Sequence, residues 1–230
     1  MRLPYSIVFD TPNLRYLKYF DYVAAEGYWM NNFNSLVEAD IKLALGTQFG
    51  RGINVREFDK SGEEVNVAKL LGGISKVQRL YLDGDSIEAL KLCSLPNFGH
   101  LTYLKLGELN YCDQAGWELL PELLECAPQL ETLVCQELVY DGDDDYLVKH
   151  QFGWHTPSNV PSCLLFHLKV IEIRHFLWRS DELKTAEYFL NNAKVLKRLI
   201  IRSAPGQKSK ICNILSSLPK GSKTCRLEVY

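Results

Sequence analysis

The chain has seven cysteines in 230 residues, an odd number, and no C-x-x-C pair among them. That argues against a disulfide framework and for free thiols in a reducing compartment. No asparagine stands in an N-x-[ST] acceptor, and the opening "MRLPYSIVFD" has no charged-then-apolar leader pattern. Apolar runs fall well short of a bilayer's thickness, so no membrane contact is expected. A cytoplasmic or nuclear location is the expectation. Excess charge of one sign is missing as well. With 26 Lys and Arg against 28 Asp and Glu, the chain carries -2, which excludes a general polyanion binder. Its 47% hydrophobic content is that of an ordinary globular chain able to bury a core.

Catalytic and cofactor signatures are also lacking. "GDSIE" approaches a nucleophile elbow, but Glu88 replaces its second glycine, so Ser86 is expected to be structural. "LGTQFGRG" lacks the lysine and serine of a phosphate-cradling loop and reads as a connection. His167 and His175 are eight residues apart and have no cysteine at ligand spacing, so no metal site is expected. "DGDDD" (141–145) cannot be a calcium loop, because its twelfth position is Phe152 rather than glutamate. No enzyme activity and no cofactor are therefore expected.

What is present is a repeated phrase: apolar, two residues, apolar, one residue, apolar. It occurs in "NLRYLKY", "SLVEADIKL", "KVQRLYLDG", "HLTYLKLGE", "QLETLVCQE", "HLKVIEIRH" and "VLKRLIIRS", and "CRLEVY" closes the chain. The leading residues Leu14, Leu36, Val77, Leu101, Leu130, Leu168 and Leu196 are spaced by 22, 41, 24, 29, 38 and 28. Most of these intervals match a leucine-rich repeat, and the two long ones imply insertions. The alternating part of each phrase is a short strand with one buried face. Amphipathic stretches follow: "SGEEVNVAKLLGGI" from Ser61, "DQAGWELLPELLECA" from an Asp113 cap with Pro121 inside, "SDELKTAEYFLNNA" from Ser180 or Asp181, and "KSKICNILSSL".

Such units cannot bury themselves singly. Stacked, they give an α/β leucine-rich-repeat solenoid: a curved parallel sheet with helices on its convex side. A doubly wound α/β domain is the alternative that alternating strands and helices also allow. In the solenoid, Leu101, Leu104 and Leu106 face the core, as do Leu196, Leu199 and Ile201. Their strand neighbours face outward on the concave side, along with Glu38 and Asp40. The outward residues expected to contact a partner are Tyr16, Lys18, Arg79, Tyr81, Tyr103, Lys105, Glu172, Arg174, Arg198 and Arg202.

Residues 154–201, "WHTPSNVPSCLLFHLKVIEIRHFLWRSDELKTAEYFLNNAKVLKRLII", carry a more specific pattern. Its marks are Trp154, Pro157, Val160, Pro161, Cys163, Leu164, Leu168, Phe176, Tyr188, Leu190, Asn192, Ala193, Leu196 and Leu199. With these, the segment resembles the FBD segment of plant F-box/LRR proteins. The tail "ILSSLPKGSKTCRLEVY" is similar to that segment's end, and "TPNLRYLKYFDY" and "LLECAPQLETLV" are similar to the repeats upstream of it. The glycine usual after the aromatic of the "IEIRHF" strand is replaced here by "LWRS". The resemblance implies a repeat region over residues 1–150 and an FBD segment over 151–230 that continues the solenoid. It also implies substrate recognition for an SCF-type ubiquitin ligase. The family's F-box, which docks a Skp-type adaptor, is not found in this chain, so that partner is not expected.

Charge is uneven along the chain. Eleven acids and no base lie between Leu106 and Val148, and nine bases and no acid lie from Lys194 to Arg226. This could be a bipolar docking surface or simply two solvated faces. The leading expectation is a protein-interaction module that binds a protein on its concave face. Alternatives are a hormone-like small-molecule sensor, with residues 44–76 as a lid, and a stand-alone decoy binder. Nucleic acid is not expected, because the basic stretch lacks interleaved aromatics.

Overall fold

A computed structural model describes residues 5–21, 27–43, 60–91, 93–107, 115–136, 156–176, 180–203 and 206–230. Among the described residues, ten strands and six helices follow one another. They are β1 (Ser6–Asp10), β2 (Tyr16–Asp21), β3 (Gly27–Asn31), β4 (Glu38–Leu43), α1 (Lys60–Gly73), β5 (Arg79–Leu82), α2 (Gly84–Leu90) and β6 (Tyr103–Gly107). Then come α3 (Ala115–Cys126), β7 (Thr132–Gln136), α4 (Ser162–Phe166), β8 (Val170–Phe176), α5 (Ser180–Asn192), β9 (Arg198–Ser203), α6 (Lys208–Ser217) and β10 (Arg226–Val229).

Eight strands form one parallel sheet in the order β2, β4, β5, β6, β7, β8, β9, β10. That order is the order of the sequence, which is the mark of a solenoid rather than of a doubly wound sheet. The chain has the α/β leucine-rich-repeat architecture.

One hydrogen-bond device repeats at six of the seven steps between neighbouring strands. The amides of Val37 and Glu38 both donate to the carbonyl of Arg15, and those of Gln78 and Arg79 donate to Val37. The same pairing joins Thr102 and Tyr103 to Gln78, Glu131 and Thr132 to Thr102, Lys169 and Val170 to Glu131, and Lys197 and Arg198 to Lys169. Each carbonyl just before a strand thus anchors the start of the next strand and sets the register. The leading apolar residue closes a tight turn ahead of it: the Val77 amide donates to Ile74, Leu101 to Phe98, and Leu130 to Ala127.

Three apolar residues per phrase fill the core. Val77, Leu80 and Leu82 are buried, as are Leu101, Leu104 and Leu106, and Leu168, Ile171 and Ile173. Each such side chain contributes about 1.5–3 kcal/mol on burial. The register stacks them into continuous rows, Leu80 beside Leu104 beside Leu133 beside Ile171 beside Leu199.

The helices close the core from behind. On α1, Val67, Leu70 and Leu71 are buried. On α5, Ala186, Phe189 and Leu190 are buried, with Ala193 just beyond its end. Helix α3 continues through Pro121 to Cys126 despite the missing N–H, while its expected Asp113 cap lies outside the described residues. The 44–76 segment was expected as a lid. Its second half is instead this packed helix α1 and the turn after it, and 44–59 lie outside the described residues.

Two strands have no counterpart in the repeat phrase. β1 and β3 pair in parallel as a separate small sheet, and β3 packs on α1. No described helix is long and apolar enough to cross a membrane.

Candidate functional surface

The sheet face opposite the helices carries every outward side chain of the eight strands. Three rows run across it. The first is Tyr16, Glu38, Arg79, Tyr103, Thr132, Val170, Arg198, Arg226. The second is Lys18, Asp40, Tyr81, Lys105, Val134, Glu172, Ile200, Glu228. The third includes Phe20, Lys42, Gly107, Gln136, Arg174, Arg202 and Tyr230. At about 4.8 Å per strand, the rows extend roughly 33 Å from β2 to β10. All ten residues expected to face a partner lie on this one face.

They fall into two clusters. In the first, the Arg79 guanidinium lies 3.2 Å from Glu38, donates to the Tyr81 hydroxyl at 2.9 Å and stands 4.0 Å from the Tyr103 ring centre. The Tyr81 hydrogen bond is the main reason its pKa is raised. Tyr81 and Tyr103 pack ring to ring at 5.5 Å. Burial raises the Tyr103 hydroxyl pKa, so the ring stays neutral. Lys18 reaches Asp40 at 3.5 Å.

The second cluster centres on Glu172. It accepts from Arg174 at 2.9 Å and from Arg202 at 2.6 Å. Burial alone would raise the Glu172 pKa; the two arginines outweigh it, and the carboxyl sits below its ordinary range. Next to it, Arg198 grips Glu228 with two hydrogen bonds of 2.8 Å. That bidentate bond holds the Glu228 carboxyl at about 2. Tyr230 donates to Glu228 at 3.1 Å and lies under the Arg202 guanidinium at 5.1 Å. A bulge between Ile173 and Phe176 aims this region: His175 takes a left-handed φ of 52°.

Strand β7 separates the clusters and contributed none of the expected residues. Its Val134 is 3% exposed, and Ile200 on β9 is 5% exposed, so an apolar floor runs between charged patches. Val134, Ile200, Glu228 and Tyr230 were not among the expected contacts, although the period-two pattern of β7, β9 and β10 marks them as outward.

At the ends of β4, β5 and β6, an open depression is lined by Asp40, Lys42, Tyr81, Leu82, Asp83, Lys105 and Gly107. Gly107 is required there, because a Cβ would meet the Gln136 carbonyl oxygen at 2.4 Å. Asp83 also caps α2, accepting from the Ser86 amide at 2.9 Å. Burial raises its pKa despite that bond.

Ser86 is fully buried. Its hydroxyl accepts from the Leu43 amide at 2.8 Å and stands 2.6 Å from Asp83, so it ties α2 to β4. Among the described residues no His, Cys, Asp and Glu group could hold a metal, and the described cysteines are free thiols. Of the acidic stretch, Glu108, Asp113, Glu137 and the 141–145 run lie outside the described residues. Glu122 and Glu125 stand exposed on α3, behind the sheet, and Glu131 pairs with Lys169 at 2.6 Å.

The FBD family model matches residues 155–201. This stretch covers α4, β8, α5 and the start of β9. Most of its marks are core: Cys163, Leu164, Leu168, Phe176, Leu190, Ala193, Leu196 and Leu199 are all buried. The position of the missing glycine, at "LWRS", falls largely outside the described residues. An F-box/LRR-repeat protein of Arabidopsis thaliana is 33% identical over 99% of this chain and 49% of its own length. Another from that plant is 40% identical over 75% of this chain and 39% of itself. An F-box protein from it is 36% identical over 62% of this chain and 26% of itself. The chain spans about half the length, or less, of the curated relatives it matches. No solved structure matches it.

Proposed function

From a chain that belongs with the FBD-bearing F-box/LRR-repeat proteins of plants, we propose a non-catalytic receptor that recognises a protein partner on the open, concave face of its sheet. The resemblance supports reading it as the substrate-recognition part of an SCF-type ubiquitin-ligase receptor, without the F-box. Adaptor docking would belong to an F-box, such as the relatives' names carry. We read 1–150 as the repeat region and 151–230 as an FBD segment that continues the same sheet; β8 pairing with β7 supports this. The free thiols fit a cytoplasmic or nuclear setting.

One observation carries the proposal. Eight strands present a continuous row-by-row surface of aromatic, basic and acidic side chains, and no helix packs on the described part of that side. Tyrosine and arginine are the residue types that most often dominate binding energy at protein interfaces. The test is charge reversal at Arg79, Lys105 and Arg174 together, with circular dichroism to confirm folding. Proteins captured by the wild-type chain from plant extract should be lost from the variant. An unchanged set of captured proteins would overturn the reading.

A further inference from the structure

The open face has a charge balance that the chain as a whole does not. Its three rows hold eight basic and four acidic side chains, while the chain's net charge is -2. Every acid in the rows is held by a base: Asp40 by Lys18, Glu38 by Arg79, Glu228 by Arg198, and Glu172 by both Arg174 and Arg202. The balance of the rows is positive. One carboxylate stands between two guanidinium groups at Glu172. Two strands away, and about 10 Å across the sheet, Lys105 has no ion pair among the described residues. It stands in the middle row between Tyr81 and Val134. The nearby Asp83 is committed to the α2 cap, and Asp40 to Lys18.

We propose that this face binds an acidic, carboxylate-rich protein segment, anchored at Lys105 and at the Arg174–Glu172–Arg202 cluster. The inference rests on the reading of the open face as the partner surface and names the partner's chemistry. Lys105 offers an unshared ammonium. The Glu172 cluster offers guanidinium N–H groups beyond those its single carboxylate occupies. Val134 lies between them as apolar floor for the segment's backbone and small side chains. A nucleic-acid strand fits less well. Its evenly spaced phosphates would meet Glu38, Asp40, Glu172 and Glu228, whereas a peptide can alternate its carboxylates with neutral side chains that pass over those acids.

The test is fluorescence anisotropy on the whole chain with three labelled probes of equal length: an Asp/Glu-rich peptide, a Lys-rich peptide and a single-stranded oligodeoxynucleotide. The acidic peptide should bind, and should weaken as salt rises from about 50 to about 300 mM. Lys105→Glu should weaken it about tenfold or more. Lys69→Glu, the same charge change on the exposed side of α1, should leave it unaltered. If Lys105→Glu lowers the unfolding midpoint, Lys105→Gln serves in its place.

Absence of acidic-peptide binding, equal loss in both variants, or tighter Lys105-dependent binding of either other probe would overturn the proposal. The capture experiment with the triple reversal separates the two readings. Partners lost there while the acidic peptide fails to bind would leave the face as partner surface with different chemistry. Partners unchanged there would remove the surface itself.

Discussion

Glu172 shows how single residues on the open face carry structure as well as a surface for partners. Its carboxylate is largely covered and tied to Arg174 on its own strand and to Arg202 on the next. The folded pKa is lowered, so the sign of its linkage is fixed. Its stabilising contribution is fully present above the unfolded value, about 4.3, and is lost as pH falls through the lower folded value. Glu228, held at about 2 by Arg198, acts in the same direction over the window from about 4.3 to about 2. Glu172→Gln should therefore flatten the fall in melting temperature below pH 5 while lowering the melting temperature at pH 7. Differential scanning fluorimetry across pH reads both. Parallel curves for wild type and variant would show that the arginine pairing does not stabilise the fold.

Seen as elements, the strands differ in what they expose. β2 ends the large sheet and, among the described residues, pairs only with β4. Tyr16 and Phe20 on it are 47% and 53% exposed, and in the small sheet Val8 and Trp29 are 63% and 61% exposed. A parallel edge carrying exposed aromatics is a template for association. Light scattering should show mass rising with concentration, and Phe20→Lys should reduce that rise. A monodisperse wild-type monomer at high concentration would count against it.

The same residues explain why β1 and β3 escape detection by pattern. Their outward positions hold Val8 and Trp29, so hydrophobicity does not alternate, even though burial alternates along β1. The eight strands of the large sheet were legible because their outward positions are mostly charged or polar. The short helices α2 and α4 were not, since five to seven residues carry too few turns for a period of 3.6 to show.

For the molecule as a whole, stability comes from neighbours. The buried side chains of the FBD match belong to the same core as those of the repeats before it. The Cys163 thiol donates to the Leu124 carbonyl at 3.5 Å, and the Lys169 amide donates to Glu131. In a solenoid each repeat contributes its faces only when stacked. Residues 155–201 expressed alone should give a disordered circular dichroism spectrum with no cooperative melt. A fragment melting near the temperature of the whole chain would contradict this and would make the FBD segment a domain of its own.

The sequence by itself determined the solenoid, because the spacing of buried apolar residues is a local property and the L-x-x-L-x-L phrase repeats it. It also placed the ten expected residues on the open face, since strand alternation alone sets that. Only the tertiary structure decided how those residues are engaged. That Arg79 is stacked on Tyr103, Arg198 is neutralised by Glu228, and Glu172 is shared by two arginines depends on which side chains meet across strands about thirty residues apart. The register set by one carbonyl per repeat brings them together, and no local pattern encodes it. The same pairing leaves Lys105 unmatched among the described residues.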